Sequence, residues 1–389
     1  MKLYADLHIH SRFSRATSKN LTIENLEKYA KIKGINLLGT GDFTHPKWLA
    51  ELREKLSEDG SGFLKTKSGF KFILQSEVSQ MYRQDDKGRR VHNIILAPSF
   101  EVVDQINEFL APRGKLASDG RPIFSGLDCK ELCENLFEIS EKIEIIPAHI
   151  WTPWFSVLGS KSGFDSIEEC FGEYTSKIHA LETGLSSDPA MNWRVSKLDR
   201  FTLVSNSDTH SFWPWRLGRE CNVLDIEPTY DNLQKALKTR EGFEFTVEVD
   251  PSYGKYHFDG HRKCDVCLEP KESLKNQNKC PKCGKPLTIG VLNRVEELAD
   301  REEGYAPKNA VPFKTLLPLS EIIALSVGVK SPASSKVDSI YYKLIEKFGS
   351  EFNVLIEAQD SDIENVAGKR LSELIIRNRN NEIKVSPGY

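Results

Sequence analysis

Histidine and aspartate residues near the start of the chain have the types and spacing of metal ligands. The segment Asp6-Leu-His8-Ile-His10 follows a short apolar stretch, and a second apolar run ends in Asp208-Thr-His210. Two His residues at spacing two project from the same side of an extended strand, so both imidazoles can bind one ion. An isolated His-x-His segment also occurs in cores and on surfaces, so this pattern alone is a weak signal.

Other apolar runs in the same part of the chain also carry or end in a His, Asp or Glu side chain. These further candidate ligands are Asp42, His45, Glu77, His92 and His149. Surface polar residues have no reason to accumulate at the ends of apolar runs. The distribution therefore predicts a multinuclear metal site to which distant strands contribute ligands.

The segments between these runs have the pattern of amphipathic helices. Thr22 is a predicted N-cap, apolar residues between Ile23 and Ala30 share one face, and Gly34 ends the segment. Strands that alternate with helices form parallel βα units, whose functional groups gather at the carboxyl ends of the strands. Residues 1–250 have the size of one (β/α) barrel, so we predict an α/β fold for them.

The composition limits the classes of partner. The chain has 389 residues, 39% of them hydrophobic, which is enough for a large core and for further domains beyond the barrel. Its formal net charge of -3 predicts no global attraction to nucleic acid, so such a partner would need local basic patches. No apolar run approaches the ~20 residues that cross a membrane, and His8 and His10 interrupt any signal peptide. We expect a cytoplasmic protein with no membrane partner.

Two cysteine pairs follow the predicted barrel. Cys264 and Cys267 form the first CxxC segment and Cys280 and Cys283 form the second, with twelve residues between the pairs. Four thiolates complete the tetrahedral coordination of one zinc ion and leave no open position, so the predicted zinc is structural. Redox pairs or two disulfides are the alternatives, but a cytoplasmic chain without a thioredoxin-like context favours neither.

Residues 251–290 are a predicted zinc-binding module with a basic surface. They contain eight Lys or Arg residues against four acids, with aromatic residues between the bases. This excess suits a phosphate backbone, or only keeps a small module soluble, and the aromatic residues favour nucleic acid. Lys263 is a predicted DNA contact. Because four cysteines saturate the zinc, His257 and His261 are interpreted as linker or DNA-facing residues.

From residue 291 onward the pattern predicts helices. Apolar residues from Ile340 to Phe348 share one face, and Gly349 ends that segment. Residues 291–389 are therefore predicted to form a C-terminal α-helical domain. The last helix, roughly 369–380, carries four Lys or Arg residues, which fit either a solvated face or a second phosphate contact.

Five segments carry a resemblance to a known family. They are Gly41-Asp-Phe-Thr-His-Pro, Pro147-Ala-His-Ile-Trp-Thr-Pro-Trp-Phe, Leu181-Glu-Thr-Gly-Leu-Ser-Ser-Asp-Pro, Ser205-Asn-Ser-Asp-Thr-His and Gly254-Lys-Tyr-His-Phe-Asp-Gly-His-Arg-Lys-Cys. In these segments the chain resembles the PHP (polymerase and histidinol phosphatase) superfamily and, within it, the endonuclease Q family. The resemblance implies a PHP-type distorted (β/α) barrel, a small four-cysteine zinc-binding module and a C-terminal α-helical domain.

The same resemblance implies an activity. The implied enzyme is a DNA-repair endonuclease that cuts the phosphodiester bond 5′ to deaminated bases (uracil, hypoxanthine and xanthine) and abasic sites. Its expected partner is DNA with damaged bases. Association with the nucleoid and with a replication clamp or other repair proteins is a further expectation.

The resemblance also implies which residues hold which ion. A first ion would be held by His8, His10, Glu77 and Asp208. A second ion would be held by Glu77, as the bridge, with His92 and His149. A third ion would use His210 with His45 or Asp42.

The chain departs from the superfamily pattern at one position. Many members have a ligand-capable residue a few positions after His-x-His, where this chain has Ser14-Arg15. Arginine has no lone pair to donate, so we expect two or three ions in the barrel. Arg15 is instead predicted to hold a phosphate oxygen bidentately.

The ligand types point to a chemistry independently of the resemblance. Mixed imidazole and carboxylate ligation suits Zn, Mn or Fe better than Mg alone. Two ions about 3.5–4 Å apart lower the pKa of a bridging water and stabilise the attacking and leaving oxygens of an in-line displacement. The predicted reaction is phosphoester hydrolysis that leaves a 3′-hydroxyl and a 5′-phosphate. The predicted catalytic residues are His8, His10, Glu77 and Asp208.

A small-molecule phosphatase and a non-catalytic DNA-binding module are the alternative functions. A phosphatase needs only the barrel, whereas ~140 further residues with a basic zinc module favour a polymeric substrate. The full set of candidate ligands disfavours an inert module.

An enzyme that inspects a base inside a duplex must take it out of the stack, which requires a pocket. Trp151, Trp154 and Phe155 directly follow a predicted ligand, so we predict that one of them stacks on the displaced base. Packing of the barrel rim is the alternative for each of them. The Asp119-Gly-Arg121-Pro loop is interpreted as a solvated loop rather than as part of a DNA rim.

Overall fold

The computed structural model describes residues 2–383, in which strands and helices alternate before helices predominate. The strands are β1 Lys2–Asp6, β2 Leu37–Gly39, β3 Ser57–Glu58, β4 Leu64–Lys65, β5 Lys71–Gln84, β6 Lys87–Ala97, β7 Ile123–Ser125, β8 Glu144–Pro147, β9 Ala180–Glu182, β10 Thr202–Val204, β11 Cys221–Asp225, β12 Phe243–Glu248, β13 Asp259–His261, β14 Val266–Leu268 and β15 Phe313–Thr315. The α-helices are α1 Ile23–Lys33, α2 Pro46–Lys55, α3 Phe100–Leu110, α4 Cys129–Ile139, α5 Ile167–Phe171, α6 Pro189–Asn192, α7 Tyr230–Thr239, α8 Pro270–Lys275, α9 Val291–Leu298, α10 Leu319–Val327, α11 Ser335–Phe348, α12 Asp360–Ala367 and α13 Lys369–Arg379.

Seven strands form a ring in the order β1, β2, β5, β6, β8, β9 and β10. Backbone ladders join β1 to β2, β2 to β5, β5 to β6, β6 to β8, and β9 to β10. A bridge between Ile9 and Thr209 joins the ends of β10 and β1. The amide of Ile150 donates to the carbonyl of Glu182 at 3.0 Å, which joins the ends of β8 and β9. The predicted α/β barrel is confirmed, and it is distorted because short bridges rather than full ladders close it.

The prediction of uniformly parallel βα units is wrong at β6. This strand runs antiparallel to both β5 and β8. Asp85 and Asp86 join β5 to β6, and both have positive φ, at 52° and 57°. A two-residue loop of this kind is the primed turn of a tight hairpin, whereas parallel neighbours would need a long crossover.

The long β5–β6 hairpin also changes the position of Glu77. The apolar run before Glu77 suggests that the strand ends there, but β5 continues to Gln84. Its second half pairs with β6 in a register that places Ser79 opposite His92. Glu77 therefore projects from the middle of a strand, where the ladder with β6 pairs it with Ile94.

The first predicted helix is confirmed at both ends. The hydroxyl of Thr22 accepts a hydrogen bond from the amide of Asn25, and α1 follows directly. Gly34 ends the helix with a φ of 103°, a conformation that favours glycine. Leu26 and Ala30 face the core and are fully buried.

The remaining elements pack against the barrel. The zinc-binding module contains the antiparallel hairpin of β13 and β14, followed by α8. Strand β15 pairs in parallel with β12 and so extends the sheet that contains β1. The buried ammonium of Lys33 lies 2.7 Å from Glu351, which ties α1 to the C-terminal helices. None of the helices in residues 2–383 is both long enough and apolar enough to cross a membrane.

The domain boundaries 1–250, 251–290 and 291–389 stay a prediction. Their last residues, 384–389, lie outside the described part of the chain, as does residue 1. The pairing of β15 with β12 means that part of the predicted third domain adds a strand to the barrel sheet.

Candidate metal centre

Four candidate ligands from three separate parts of the chain meet in the middle of the barrel. His10 Nε2 lies 3.2 Å from an oxygen of Glu77 and 3.1 Å from an oxygen of Asp208. His8 Nε2 lies 3.7 Å from the same two oxygens. His8, His10 and Glu77 are fully buried.

The atoms that face the centre of this group have no hydrogen-bond partner in residues 2–383. They are His8 Nε2, His10 Nε2 and Asp208 Oδ1. A buried polar atom without a partner costs about 1–3 kcal/mol, so three of them in one place need an explanation. A divalent cation would satisfy all three atoms, and their chemistry suits one.

A second group shares Glu77 with the first. Glu77 Oε1 lies 2.7 Å from His92 Nδ1 and 3.2 Å from His149 Nε2. Its other oxygen, Oε2, faces His8 and His10. The two oxygens of one carboxylate therefore face different histidine pairs, which is the arrangement predicted for a bridging ligand.

Two further carboxylates orient the histidines of the first group. His8 Nδ1 lies 2.9 Å from Glu182 Oε1, and His10 Nδ1 lies 3.1 Å from Asp42 Oδ1. A hydrogen bond at Nδ1 fixes the ring and directs the lone pair of Nε2 towards the centre. Glu182 is not among the predicted ligands, although it ends the apolar run of β9 in the same way that other candidates end theirs.

The structure does not bring Asp42 or His45 together with His210, as predicted for a third ion. Asp42 Oδ2 accepts hydrogen bonds from the amide of Ser11 at 2.6 Å and from the Ser14 hydroxyl at 2.9 Å. His45 stacks on Phe13 with ring centroids 4.3 Å apart. His210 instead joins the group of His10 and Asp208. Both oxygens of Asp42 take part in hydrogen bonds, one with His10 and the other with Ser11.

Three of these residues have an unusual backbone conformation. The φ angles of Asp42, His149 and Asp208 are 46°, 32° and 46°. Side chains other than glycine adopt this region rarely, at a cost of order 1–3 kcal/mol each, and such residues cluster at functional sites. Gly184 packs against His149 so closely that a Cβ there would lie 2.6 Å from the His149 Cβ.

The charges around the centre favour a cation. Burial opposes ionisation of Glu77, but the neighbouring His92 and Arg121 hold its pKa well below its usual range. Burial likewise opposes protonation of His8, but Glu182 and Asp208 raise its pKa well above the usual range. Burial lowers the pKa of His92 to about 4, which leaves it in the neutral form that binds metals.

A cavity of about 700 Å³ opens beside these ligands. His92, His149 and Asp208 form part of its wall, together with Trp154 and Phe155. The ring of Phe155 lies 4.7 Å from that of His92, and the side chain of Trp154 remains 38% exposed. The cavity therefore joins the metal ligands to an aromatic surface.

Trp151 does not share this surface. Its indole is 1% exposed and donates from Nε1 to Asn192 Oδ1 at 2.8 Å. The side chain packs in the same buried core as the preceding Ile150. The prediction that Trp151 is a candidate to stack on a base is therefore wrong. Trp154 and Phe155 line the cavity, and stacking of either on a base stays a prediction.

The chain is similar to one family model, to two uncharacterized proteins and to solved structures of endonucleases. The model of the MJ0043 C-terminal domain matches residues 318–382. The uncharacterized protein MJ0043 of Methanocaldococcus jannaschii is 36% identical over 244 residues, or 61% of this chain and 30% of that protein. The chain thus spans under a third of the length of that relative. The uncharacterized protein YqxK of Bacillus subtilis is 31% identical over 100% of this chain and 97% of its own.

Two solved structures cover the whole chain. The lesion-specific endonuclease PfuEndoQ from Pyrococcus furiosus is 34% identical, with a TM-score of 0.88 over 100% of this chain and 93% of its own. Endonuclease Q in complex with a 27-mer duplex substrate with an abasic lesion at the active site is 35% identical. That match has a TM-score of 0.89 and covers 100% of this chain and 94% of the other. This chain belongs to the endonuclease Q family.

The zinc-binding module of this endonuclease Q relative differs from the prediction in one ligand. The side chains of His261, Cys264, Cys280 and Cys283 place their ligand atoms within 4.8 Å of one another. Cys267 lies outside this group and is exposed. The interpretation of His261 as a linker or DNA-facing residue is not what the structure shows.

The two ligand pairs occupy equivalent positions in two similar turns. His261 pairs with Val266 across the first turn, and Cys280 bonds to Lys285 across the second. The residue after each second ligand has positive φ, 49° at Asp265 and 72° at Gly284. His261-x-x-Cys264 thus corresponds to Cys280-x-x-Cys283. Cys267 belongs to the strand that follows the first turn, so the geometry favours His261 over Cys267 as the fourth ligand.

The predicted DNA contacts outside the cavity lie on the surface. The Arg15 side chain is 83% exposed, and its Nε lies 3.1 Å from Asp119 Oδ2. Lys263 is exposed within the first zinc turn. Both residues are accessible to a phosphate backbone, and neither touches the candidate metal ligands.

We predict that His261, and not Cys267, is a zinc ligand. Replacement of His261 by Ala should remove most of the bound zinc, because three thiolates no longer complete the tetrahedron. Cys267→Ser is the matched control and should retain about one structural zinc per chain. Elemental analysis of the two purified variants, with Cys280→Ser as the positive control for zinc loss, measures the difference. Zinc retained in the His261 variant and lost in the Cys267 variant would restore the four-cysteine assignment.

Proposed function

We propose that this chain is a metal-dependent DNA-repair endonuclease that hydrolyses the phosphodiester bond 5′ to a damaged nucleotide. The observation that carries the proposal is the buried Glu77 carboxylate, which two histidine pairs share beside an open cavity lined by His92, His149 and Asp208. Membership of the endonuclease Q family supports DNA as the substrate. In that family, endonuclease Q has been seen with a duplex substrate whose abasic lesion is at the active site.

The described residues fit two divalent ions. His8, His10, Glu77 and Asp208 would hold one ion, and Glu77, His92 and His149 would hold the other. Bound ions of this kind supply a nucleophilic water at neutral pH and neutralise the charge that develops on the phosphate. Imidazole and carboxylate ligands suit Zn, Mn or Fe. His210, which lies beside Asp208, is the proposed ligand of a third ion, since the Nε2 of His10 is already assigned to the first ion.

Carboxylates that are not themselves proposed ligands orient the ligand histidines. Glu182 accepts from the amide of His149 at 2.8 Å and also contacts His8, so one carboxylate positions ligands of both groups. Asp42 positions His10. Hydrolysis at this centre would leave a 3′-hydroxyl and a 5′-phosphate, because the attacking water adds to phosphorus and the sugar 3′ oxygen departs.

Surfaces beside the cavity fit a duplex. Tyr256, near the start of the zinc-binding module, packs edge-on against Trp154 with ring centroids 6.2 Å apart. The exposed cations of that module, including Lys263, would contact backbone phosphates, as would the exposed Arg15. Recruitment by a replication clamp or other repair proteins, and association with the nucleoid, remain predictions.

The cavity also fits a base taken out of the duplex. Its volume of about 700 Å³ exceeds the need of one nucleobase, and Trp154 and Phe155 provide the flat apolar surfaces on which bases stack. Extrusion costs a few kcal/mol, and least for a damaged or unpaired base. We propose that deaminated bases (uracil, hypoxanthine and xanthine) and abasic nucleotides are the lesions.

The first test uses labelled duplexes with one uracil, hypoxanthine or abasic site. The wild-type protein with Mn²⁺ or Zn²⁺ should cut the lesion strand 5′ to the lesion and leave an unmodified duplex intact. Asp208→Ala should retain at most a few per cent of the turnover but bind DNA almost normally, because phosphate contacts elsewhere provide most of the affinity. Asp104→Ala, which removes an exposed carboxylate paired with Arg53, is the control.

A different result would support the alternatives. Hydrolysis of a small phosphomonoester without any cut in the duplexes indicates a phosphatase. Binding of DNA without hydrolysis of either substrate, in protein shown to contain metal, indicates a non-catalytic module.

The second test concerns recognition of the base. Trp154→Ala should reduce cleavage at a paired uracil by about 5- to 100-fold, since stacking on a base contributes about 1–3 kcal/mol. Cleavage at an abasic site should change far less, because no base is present. Phe155→Ala should behave in the same way. The control is Trp213→Ala, which removes an equally exposed Trp (40%) outside the cavity. Equal losses on both lesions, or no loss in either variant, would place the base-binding pocket elsewhere.

A further inference from the structure

Arg121 enters the metal centre from outside the strands that carry the histidines. Its Nη1 lies 3.1 Å from Glu77 Oε2, and the side chain is 32% exposed. It lies in the connection between α3 and β7 and forms part of the wall of the cavity. The interpretation of this segment as a solvated loop is therefore wrong.

The loop around Arg121 is fixed on both sides. The amide of Gly120 donates to Phe13 at 3.1 Å, and the carbonyl of Gly120 accepts from the Thr44 hydroxyl at 3.3 Å. The carbonyl of Pro122 accepts from the amide of Ser79, two residues after Glu77, at 2.9 Å. Arg121 is therefore held in place before any substrate arrives.

Gly120 allows the loop to approach the centre closely. A Cβ at this position would lie 2.2 Å from Asp42 Oδ2 and 2.3 Å from the Ser14 hydroxyl. No side chain fits there without displacing the carboxylate that orients His10. The close approach brings the next residue, Arg121, within reach of Glu77.

The charge at this position requires an anion besides Glu77. Two divalent ions at the proposed sites carry four positive charges, which the carboxylates of Glu77, Asp208, Glu182 and Asp42 compensate. The guanidinium of Arg121 then adds a positive charge that these carboxylates leave uncompensated. A guanidinium beside the two ions is repelled unless a further anion lies next to it. The open cavity beside Arg121 is where a phosphodiester would approach the ligands.

We infer that Arg121 binds a non-bridging oxygen of the scissile phosphate and is a catalytic residue of the hydrolysis. The inference rests on the proposed nuclease function. A planar guanidinium can bind two oxygens of one phosphate and stabilise the charge that develops there, which a point charge does less well. Arg121, and not Arg15, is therefore the arginine proposed to bind the scissile phosphate. The exposed side chain of Arg15 instead contacts Asp119.

A role in positioning Glu77 is the competing explanation for the same contact. An arginine that only positions Glu77 would affect the affinity for metal, since Glu77 belongs to both ligand groups. An arginine that binds phosphate would leave the bound metal unchanged and would affect turnover and phosphate binding. The two roles therefore differ in a measurement that does not depend on catalysis.

The test compares wild-type protein with Arg121→Met and Arg121→Lys, and with Arg113→Met as the control. Arg113 is an exposed residue that pairs with Glu131 in α4. Arg121→Met should lower kcat on the abasic duplex by about 100-fold, the size expected when one donor to developing charge is removed. The kcat of Arg121→Lys should lie between those of wild type and Arg121→Met. The kcat of Arg113→Met should equal that of wild type. Metal content by elemental analysis should be equal in all four proteins.

Calorimetric binding of inorganic phosphate to the metal-loaded proteins is the second measurement. Wild type should bind phosphate at least about 10-fold more tightly than Arg121→Met, since a charge-assisted contact is lost. Loss of bound metal in Arg121→Met, or recovery of its kcat at raised metal concentration, would overturn the inference in favour of positioning. Turnover and phosphate affinity within twofold of wild type would overturn it outright. If wild type itself cuts no duplex, the proposed function fails, and the phosphate titration alone then decides the role of Arg121.

Discussion

The burial of one carboxylate, Glu77, is the constraint on which the metal centre depends. Its side chain has no exposed surface, and the effective cost of an isolated buried ion is several kcal/mol. Four histidines and Arg121 surround it at 2.7 to 3.7 Å and offset this cost. Removal of the Glu77 charge would leave His92 and His149 without this acceptor and would take a ligand from both groups.

The strand order follows from the same constraint. Glu77 lies on β5, His8 and His10 lie at the end of β1 two strands away, and His92 lies on the neighbouring β6. His149 and Asp208 follow β8 and β10, much later in the chain. Closure of the ring brings them close to Glu77. The strained backbone at His149 and Asp208 is the local cost of turning those side chains inward.

The sequence predicts the candidate ligands because each combines a chemically suitable side chain with the end of an apolar run. It fails where the geometry depends on long-range pairing. The antiparallel direction of β6 depends on a two-residue turn at Asp85 and Asp86, and Glu77 lies within a strand because β6 extends the ladder. Asp42 has the right type for a ligand but bonds to Ser11 and His10 instead.

Spacing alone also has limits in the zinc-binding module. Both His261-x-x-Cys264 and Cys264-x-x-Cys267 have the spacing of a ligand pair, and the sequence favours the second because cysteine is the commoner ligand. The residue at the start of the turn is the one that can act as the first ligand of the pair. The ladder of β13 and β14 places His261 at that position, opposite Val266. Arg121 was missed for a related reason, because only the fold brings its loop next to Glu77.

The most direct test of this account is a crystal structure of the protein grown with Zn²⁺, with anomalous data collected at the zinc edge. We expect two peaks in the barrel about 3.5–4 Å apart, one bonded to His8 and His10 and the other to His92 and His149. Glu77 should bridge both. The peak in the zinc-binding module provides an internal reference for full occupancy. A single barrel peak, or two peaks that Glu77 does not contact, would contradict the central role of this carboxylate.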